Sequence, residues 1–231
     1  MKNNNPKGII LILIGMFIVS FMDATFKYIN TSVNLYEAYF VRTLVSFVVI
    51  ASYLKITNKP IIFTTHYPLL TSIRVILFFF GFSSFYISLT IMPLATATAL
   101  FFASPFLMTI FAIFFLKEEV GIRRWSAVII GFIGVYIILN PDFNDFDYLS
   151  LTPVLCAFCY ALSMIIIKKT SDKDDVYSQM FHFYIFAITI SLIIYFFIGD
   201  GQYNNFDYPA SQFILRKWFS NLEFTLPYMI F

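Results

Sequence analysis

The sequence predicts an all-α fold, a polytopic bundle of membrane helices, and three observations carry that expectation. Of its 231 residues, 60% are hydrophobic, 21% aromatic and only 12% charged, where a soluble domain carries roughly 25% charged residues. The apolar residues form continuous runs rather than an alternation of period two, which excludes a membrane barrel and favours helices that satisfy their own backbone groups. The Lys and Arg residues gather on alternate connections, the bias that sets orientation in membrane proteins. So little polar side chain cannot cover a water-facing surface, and a cytosolic enzyme, a nucleic-acid binder and a disordered regulator are disfavoured together. A net charge of +2 implies no polyanionic partner. Two cysteines make no disulfide framework.

A hydrocarbon core of about 30 Å needs about 20 apolar residues per helix. That ruler picks out seven spans, at 8–29, 34–54, 69–91, 94–116, 122–139, 149–168 and 176–198. An eighth begins near Trp218, continues through NLEFTLPYMIF and is cut off at Phe231, so the chain is expected to be incomplete at that end. The first span follows Lys2 and Lys7 like a secretory signal, but it runs too long and no small-x-small cleavage pattern follows. Lys2 and Lys7, Lys55 and Lys59, Lys117 with Arg123 and Arg124, and Lys168, Lys169 and Lys173 fall on alternate connections. The intervening connections 30–33, 91–94 and 140–148 hold no basic residue, and the last carries Asp142, Asp145 and Asp147. A cytoplasmic N-terminus is therefore expected, with Arg216 and Lys217 the exception on the outer side. Spans one and six then start on opposite sides, as inverted repeats require. Sliding the chain by 141 positions lays Lys27 on Lys168 and Phe40 on Phe181. The expected division is 1–140, a first repeat of five helices, and 149–231, a partial second repeat of two full helices and the start of a third.

A charge at the centre of a membrane helix costs about 2.5–3.5 kcal/mol on insertion scales, so such residues face the bundle interior and pair. Four lie inside spans: Asp23 and Lys27 in the first, Glu37 and Arg42 in the second. At the helical rise per residue, Asp23 lies about 9 Å and Lys27 about 3 Å below the outer surface, Glu37 about 4 Å and Arg42 about 12 Å. Opposite charges share depths across one hairpin. Asp23 and Lys27 share a stripe with Ser20, whereas Glu37 and Arg42 are about 140° apart around their helix, so both pairs cannot point into one space. The deeper pair, Asp23 with Arg42, is the expected contact, lining a polar vestibule for which a zwitterionic or anionic metabolite competes. A purely structural ion pair remains the alternative, with Lys27 and Glu37 snorkelling to head groups.

The fourth span carries Ala95, Ala99 and Ala103 at every fourth position, a smooth stripe for close packing, and Pro105, which removes a backbone hydrogen bond in mid-span. A bent helix with a smooth face suits a gate, and ordinary membrane packing explains the same residues. Gly131 and Gly134 permit a second close approach. In the third span Tyr86 and Phe85 are candidates to line a substrate pocket by stacking, and Arg74 near its start can snorkel. Trp125 reads as an interface anchor.

Catalytic chemistry is not indicated. Cys156 and Cys159 spell Cys-x-x-Cys, but mid-span in an apolar helix without partner ligands they suit neither redox exchange nor zinc. Glu118 and Glu119, with Arg123 following, resemble an intramembrane protease motif, yet His66 and His182 do not supply its histidines, and a charged turn is the simpler reading. No phosphate-binding glycine loop is present. No cofactor and no metal are expected.

The run LTIMPLATATALFFASPFLMTIFAIFFLKEEVGIRRWSAVIIGFIGVYIILNP, with Asp23-Ala24, Lys27-Tyr28, Phe40, Arg42 and Arg74 upstream, resembles EamA-type transporters of the drug/metabolite transporter superfamily. The likeness covers about residues 8–140 well and 149–198 loosely. It implies ten helices in two inverted five-helix repeats around a central cavity, moving small metabolites by alternating access. The Asp-Ala…Lys-Tyr and Phe-x-Arg combination is most similar to the group that includes S-adenosylmethionine uptake carriers and amino-acid permeases. The expected partners are thus a small-molecule substrate and membrane lipid, with a homodimer left open. The first reading is a secondary carrier. A non-transporting membrane subunit or inactive fragment is the second, and an intramembrane enzyme the third.

Overall fold

A computed structural model describes residues 5–139, 148–204 and 208–230 of the chain. Ten α-helices follow one another: α1 Asn5–Ile29, α2 Leu35–Ile56, α3 Pro68–Ser88, α4 Leu94–Phe101, α5 Ala103–Leu116, α6 Ile122–Leu139, α7 Thr152–Thr170, α8 Val176–Ile198, α9 Pro209–Leu215 and α10 Leu222–Ile230. No strand interrupts them among the described residues. Six helices are long and apolar enough to cross a membrane, counting α4 and α5 as one span, and Trp125–Gly134 of α6 is a shorter apolar stretch. Lys2 and the acidic residues Asp142, Asp145 and Asp147 lie outside the described residues.

The core sits where α3 packs along α7 and α2 along α8. Gly81 allows the first approach: a Cβ there would lie 2.7 Å from Cβ of Cys159. The two cysteines are buried packing groups of α7, consistent with small side chains at close helix contacts in membranes. By contrast α1 meets mainly α10 and α4, and Ile9 to Ile14, Met16, Phe17 and Ile18 are more than half exposed. In lipid an apolar outward face carries no penalty.

The fourth span is two helices rather than one bent helix. The break falls at Phe102, whose N–H bonds the carbonyls of Thr98 and Ala99 at 3.1 Å. Pro105 begins its effect one turn early, because its ring excludes the bond to the carbonyl four residues back, at Phe101. The eighth apolar segment also differs from expectation. Trp218 is buried ahead of α10, its ring tilted against those of Phe40 and Tyr195, and a separate short helix, α9, precedes it.

Two loop clasps close the ends of the α2–α8 pair. At one end Asn34 caps α2 by accepting from the N–H of Tyr36 at 2.9 Å, while its amide donates to the carbonyls of Ile214 at 2.6 Å and Arg216 at 2.8 Å. Arg216 in turn donates to the carbonyl of Thr31 and faces the buried Glu37. At the other end Asp175 caps α8 by accepting from the N–H of Tyr177 at 3.0 Å. Its neighbour Asp174 accepts from the N–H of His66 at 2.9 Å, from the ring Nδ1 at 3.0 Å and from the Thr65 hydroxyl. Ser178 donates to the carbonyl of Thr64 at 3.0 Å. Asn34 with Tyr36 and Asp175 with Tyr177 stand 141 positions apart, the offset that the sequence comparison of the two halves uses.

Burial alone would raise the Asp174 carboxyl, but the His66 N–H, the Thr65 hydroxyl and the His66 ring together hold it below its ordinary value. A depressed carboxyl stabilises the fold fully above its unfolded value of about 3.9 and loses that contribution as pH falls through the lower folded value. Thermal unfolding in detergent should therefore show an acid limb below about pH 4 that Asp174→Asn removes. At neutral pH the variant should be less stable by about 1–3 kcal/mol, since buried donors lose their acceptor. An acid limb unchanged in the variant would exclude Asp174 as its source.

Candidate functional site

The candidate site lies at the seam between α1, α2 and α3. Helical spacing puts Asp23, Phe26 and Lys27 on one face of α1, and Tyr39 and Arg42 on one face of α2. The last turns of α3 present Tyr86 between them, 1% exposed. Phe26 stacks on Tyr86 with ring centroids 4.2 Å apart. Arg42 lies over both rings, 5.5 Å from the centroid of Phe26 and 5.9 Å from that of Tyr86. Such contacts stabilise a cation most where it is desolvated.

Asp23 and Arg42 do not form the direct ion pair expected of them. Tyr86 stands between, donating to Oδ1 of Asp23 at 3.2 Å and accepting from Nη1 of Arg42 at 3.3 Å. A phenolic hydroxyl can do both at once. The two charges are thus joined by a relay rather than by contact. Tyr184 of α8 also faces Arg42.

Lys27 neither meets Glu37 nor snorkels to the surface. Its ammonium donates to the carbonyls of Leu89 and, at 3.0 Å, Met92, and Asn30 adds a bond to Leu89 at 3.0 Å. A cation on the free carbonyls that end a helix also answers its negative pole. Glu37 is 2% exposed and faces Arg216, so it does not snorkel either. Arg74, expected to reach the surface, is buried and donates to the carbonyl of Gln179 at 2.6 Å.

Asp23 opens on a cleft of about 1050 Å³ between α1, α4, the start of α5 and α6. Ser20, Ala95, Ala99 and Pro105, all singled out from sequence, line it, as do Gly131 and Gly134. Ala103 is not on its wall. Ala95 and Ala99 of the alanine stripe thus border this space, Ala99 while itself buried. Ser20 and Thr98 spend their hydroxyls on the carbonyls of Met16 and Leu94, at 2.9 and 2.8 Å. Asp23 is the one charged side chain on the described wall. Phe26, Tyr39 and Thr98 were not singled out from sequence. Helical spacing from Asp23 and Arg42 is the signal that points to the first two. Glu118 pairs with Lys168, tying the turn after α5 to the end of α7, as a charged turn does.

Residues 6–140 match the EamA-like transporter family. The chain belongs to that family. It is 33% identical to an S-adenosylmethionine uptake transporter of Rickettsia prowazekii over 185 residues, covering 80% of this chain and 63% of that protein. A riboflavin transporter of Vibrio cholerae is 35% identical over 102 residues, covering 44% of this chain and 34% of that one. A pseudopaline exporter of Pseudomonas aeruginosa is 21% identical over 212 residues, covering 91% and 70%. The chain thus spans less than two thirds of the S-adenosylmethionine uptake transporters it matches. No solved structure matches it. Family and helices together make this a multi-pass membrane protein of a transporter family, not an enzyme.

If Tyr86 carries the link between α1 and α2, Tyr86→Phe should lower stability by about 1–3 kcal/mol, the cost of stranding buried polar groups. In a double-mutant cycle with Asp23→Asn, followed by thermal unfolding in detergent, the two losses should be clearly non-additive. Strict additivity would mean that the hydroxyl and the carboxylate act independently.

Proposed function

We propose that this chain supplies the substrate pathway of a secondary carrier for a small, positively charged or zwitterionic metabolite of the S-adenosylmethionine type, working by alternating access. The observation that carries the reading is the chemistry of the cleft wall. Asp23 offers a carboxylate there, while Arg42 lies behind Tyr86 and is not on the wall. An amine or sulfonium finds its counter-charge at the wall, and a carboxylate does not. The apolar remainder, with Phe102 and Phe132 facing the same space, suits a flat ring. The names of the relatives support a metabolite of that kind.

The reading includes two inverted repeats, 1–140 and 149–231. Matching helix caps 141 positions apart support it, as do packings that exchange under the same operation: α3 on α7, α10 on α1, and α2 on α8. Lys55, Lys59, Lys168 and Lys173 then mark the cytoplasmic end together with the N-terminus.

Uptake of labelled S-adenosylmethionine into cells expressing the chain tests the function. Flux should exceed the empty-vector control and fall at least tenfold with Asp23→Asn, while Ser20→Ala stays within twofold. Absence of flux from a chain shown to insert and fold would favour a binding subunit instead. For orientation, a cysteine introduced at Asn58 should react with an impermeant thiol reagent in inverted vesicles and not in intact cells. The opposite pattern would reverse the topology.

A further inference from the structure

Tyr39 is 6% exposed, and its hydroxyl is fully buried with no hydrogen-bond partner. It faces Arg42, Tyr86 and Ser83, with its ring edge-on to Tyr86 at 6.1 Å between centroids. The neighbouring Ser83 hydroxyl donates to the carbonyl of Phe79 at 2.8 Å; its lone pairs face Tyr39 closely enough to interact with it but not within hydrogen-bond geometry. An unpaired buried hydroxyl is costly, and such groups in a folded protein call for an explanation. Here the orphan stands beside the one relay that joins two charges, and the far end of that relay opens on the cleft.

We propose that Tyr39 is a positioning residue that takes up the hydrogen bond Tyr86 or Arg42 releases when a cationic ligand occupies Asp23. This rests on the reading of Asp23 as the ligand's counter-charge. With the cleft empty, Tyr86 spends its proton on Asp23 and its lone pair on Arg42, and Tyr39 waits unpaired. A ligand cation that takes Oδ1 of Asp23 frees the Tyr86 hydroxyl. Tyr39 then accepts from Tyr86 or from the guanidinium, so the polar cluster is satisfied in a second arrangement. Two arrangements of one cluster are what a ligand needs in order to shift α1 relative to α2 and α3, since only differential interaction moves an equilibrium.

The test uses the whole chain in detergent and no substrate, so it stands apart from whether the chain transports S-adenosylmethionine. Asp23→Ala removes the Tyr86 acceptor and mimics its occupation. Tyr39→Phe alone should leave the melting temperature unchanged or raise it, because no bond is lost. In the Asp23→Ala background the same substitution should lower it by roughly 2–4 °C, because the bond now exists. An equal effect in both backgrounds overturns the proposal, as does a loss confined to the wild-type background. Should Asp23→Ala fail to fold, Asp23→Leu preserves apolar bulk and serves the same cycle. Where flux is measurable, Tyr39→Phe should cut maximal uptake several-fold with half-saturation unchanged. A merely structural tyrosine would not separate the two.

Discussion

Hydrocarbon gives a charged side chain no solvent, so each ion within a span must be answered by the protein itself. That constraint shapes the seam between α1, α2 and α3. Asp23 and Arg42 are answered through Tyr86 and the faces of Phe26 and Tyr86, Lys27 by the carbonyls that end α3, and Arg74 by the carbonyl of Gln179. In every case the answering group comes from another helix or the loop that follows one. The ions therefore tie α1 and α2 to α3, and α3 to α8, beside the close small-residue packing that sets α3 on α7.

The helices and their order were legible in the sequence, because length and composition decide them, although the fifth expected span, 122–139, holds only the shorter apolar stretch Trp125–Gly134. Asp23 and Arg42 could be placed at similar depth from the helical rise, and Ser20 on the same stripe. That Tyr86 would stand between them could not be read. Depth and facing locate a charge within its own hairpin, but a third helix enters only through tertiary packing. Lys27 shows the same limit: the usual partners of a lysine are carboxylates, and nothing in one sequence says that a helix will end within its reach. Pro105 foretold a weak point in the fourth span, yet the break falls at Phe102 because the proline acts on the turn before it. The small-residue stripe was legible, but that Ala95 and Ala99 border a cleft was not, since the arrangement of α1 and α6 decides it.

The clasps show how local chemistry repeats at opposite ends. Asn34 and Asp175 do the same work, accepting from an N–H two residues on; Asn34 itself also holds a segment from the other half of the chain, whereas beside Asp175 that task falls to Asp174 and Ser178. Short polar side chains at helix starts are common. Here the polar residues at each helix start also hold a neighbouring segment, so α2 and α8 are fastened at their N-terminal ends as well as along their length.

That fastening divides the molecule unequally. α2, α3, α7 and α8 share the extended packing and both clasps, whereas α1 and α6 touch few neighbours and border the cleft. The relay crosses this division: Arg42 and Tyr86 belong to the held part, Asp23 to the loosely held helix. Two further ties bridge it, the stacking of Phe26 on Tyr86 and the grip of Lys27 on the end of α3. Of the three, only the Asp23 tie ends on a wall that a solute can reach. On the proposed reading, a cation at that wall would act directly on the junction between the closely packed and the sparsely packed helices, without needing any long path through the core.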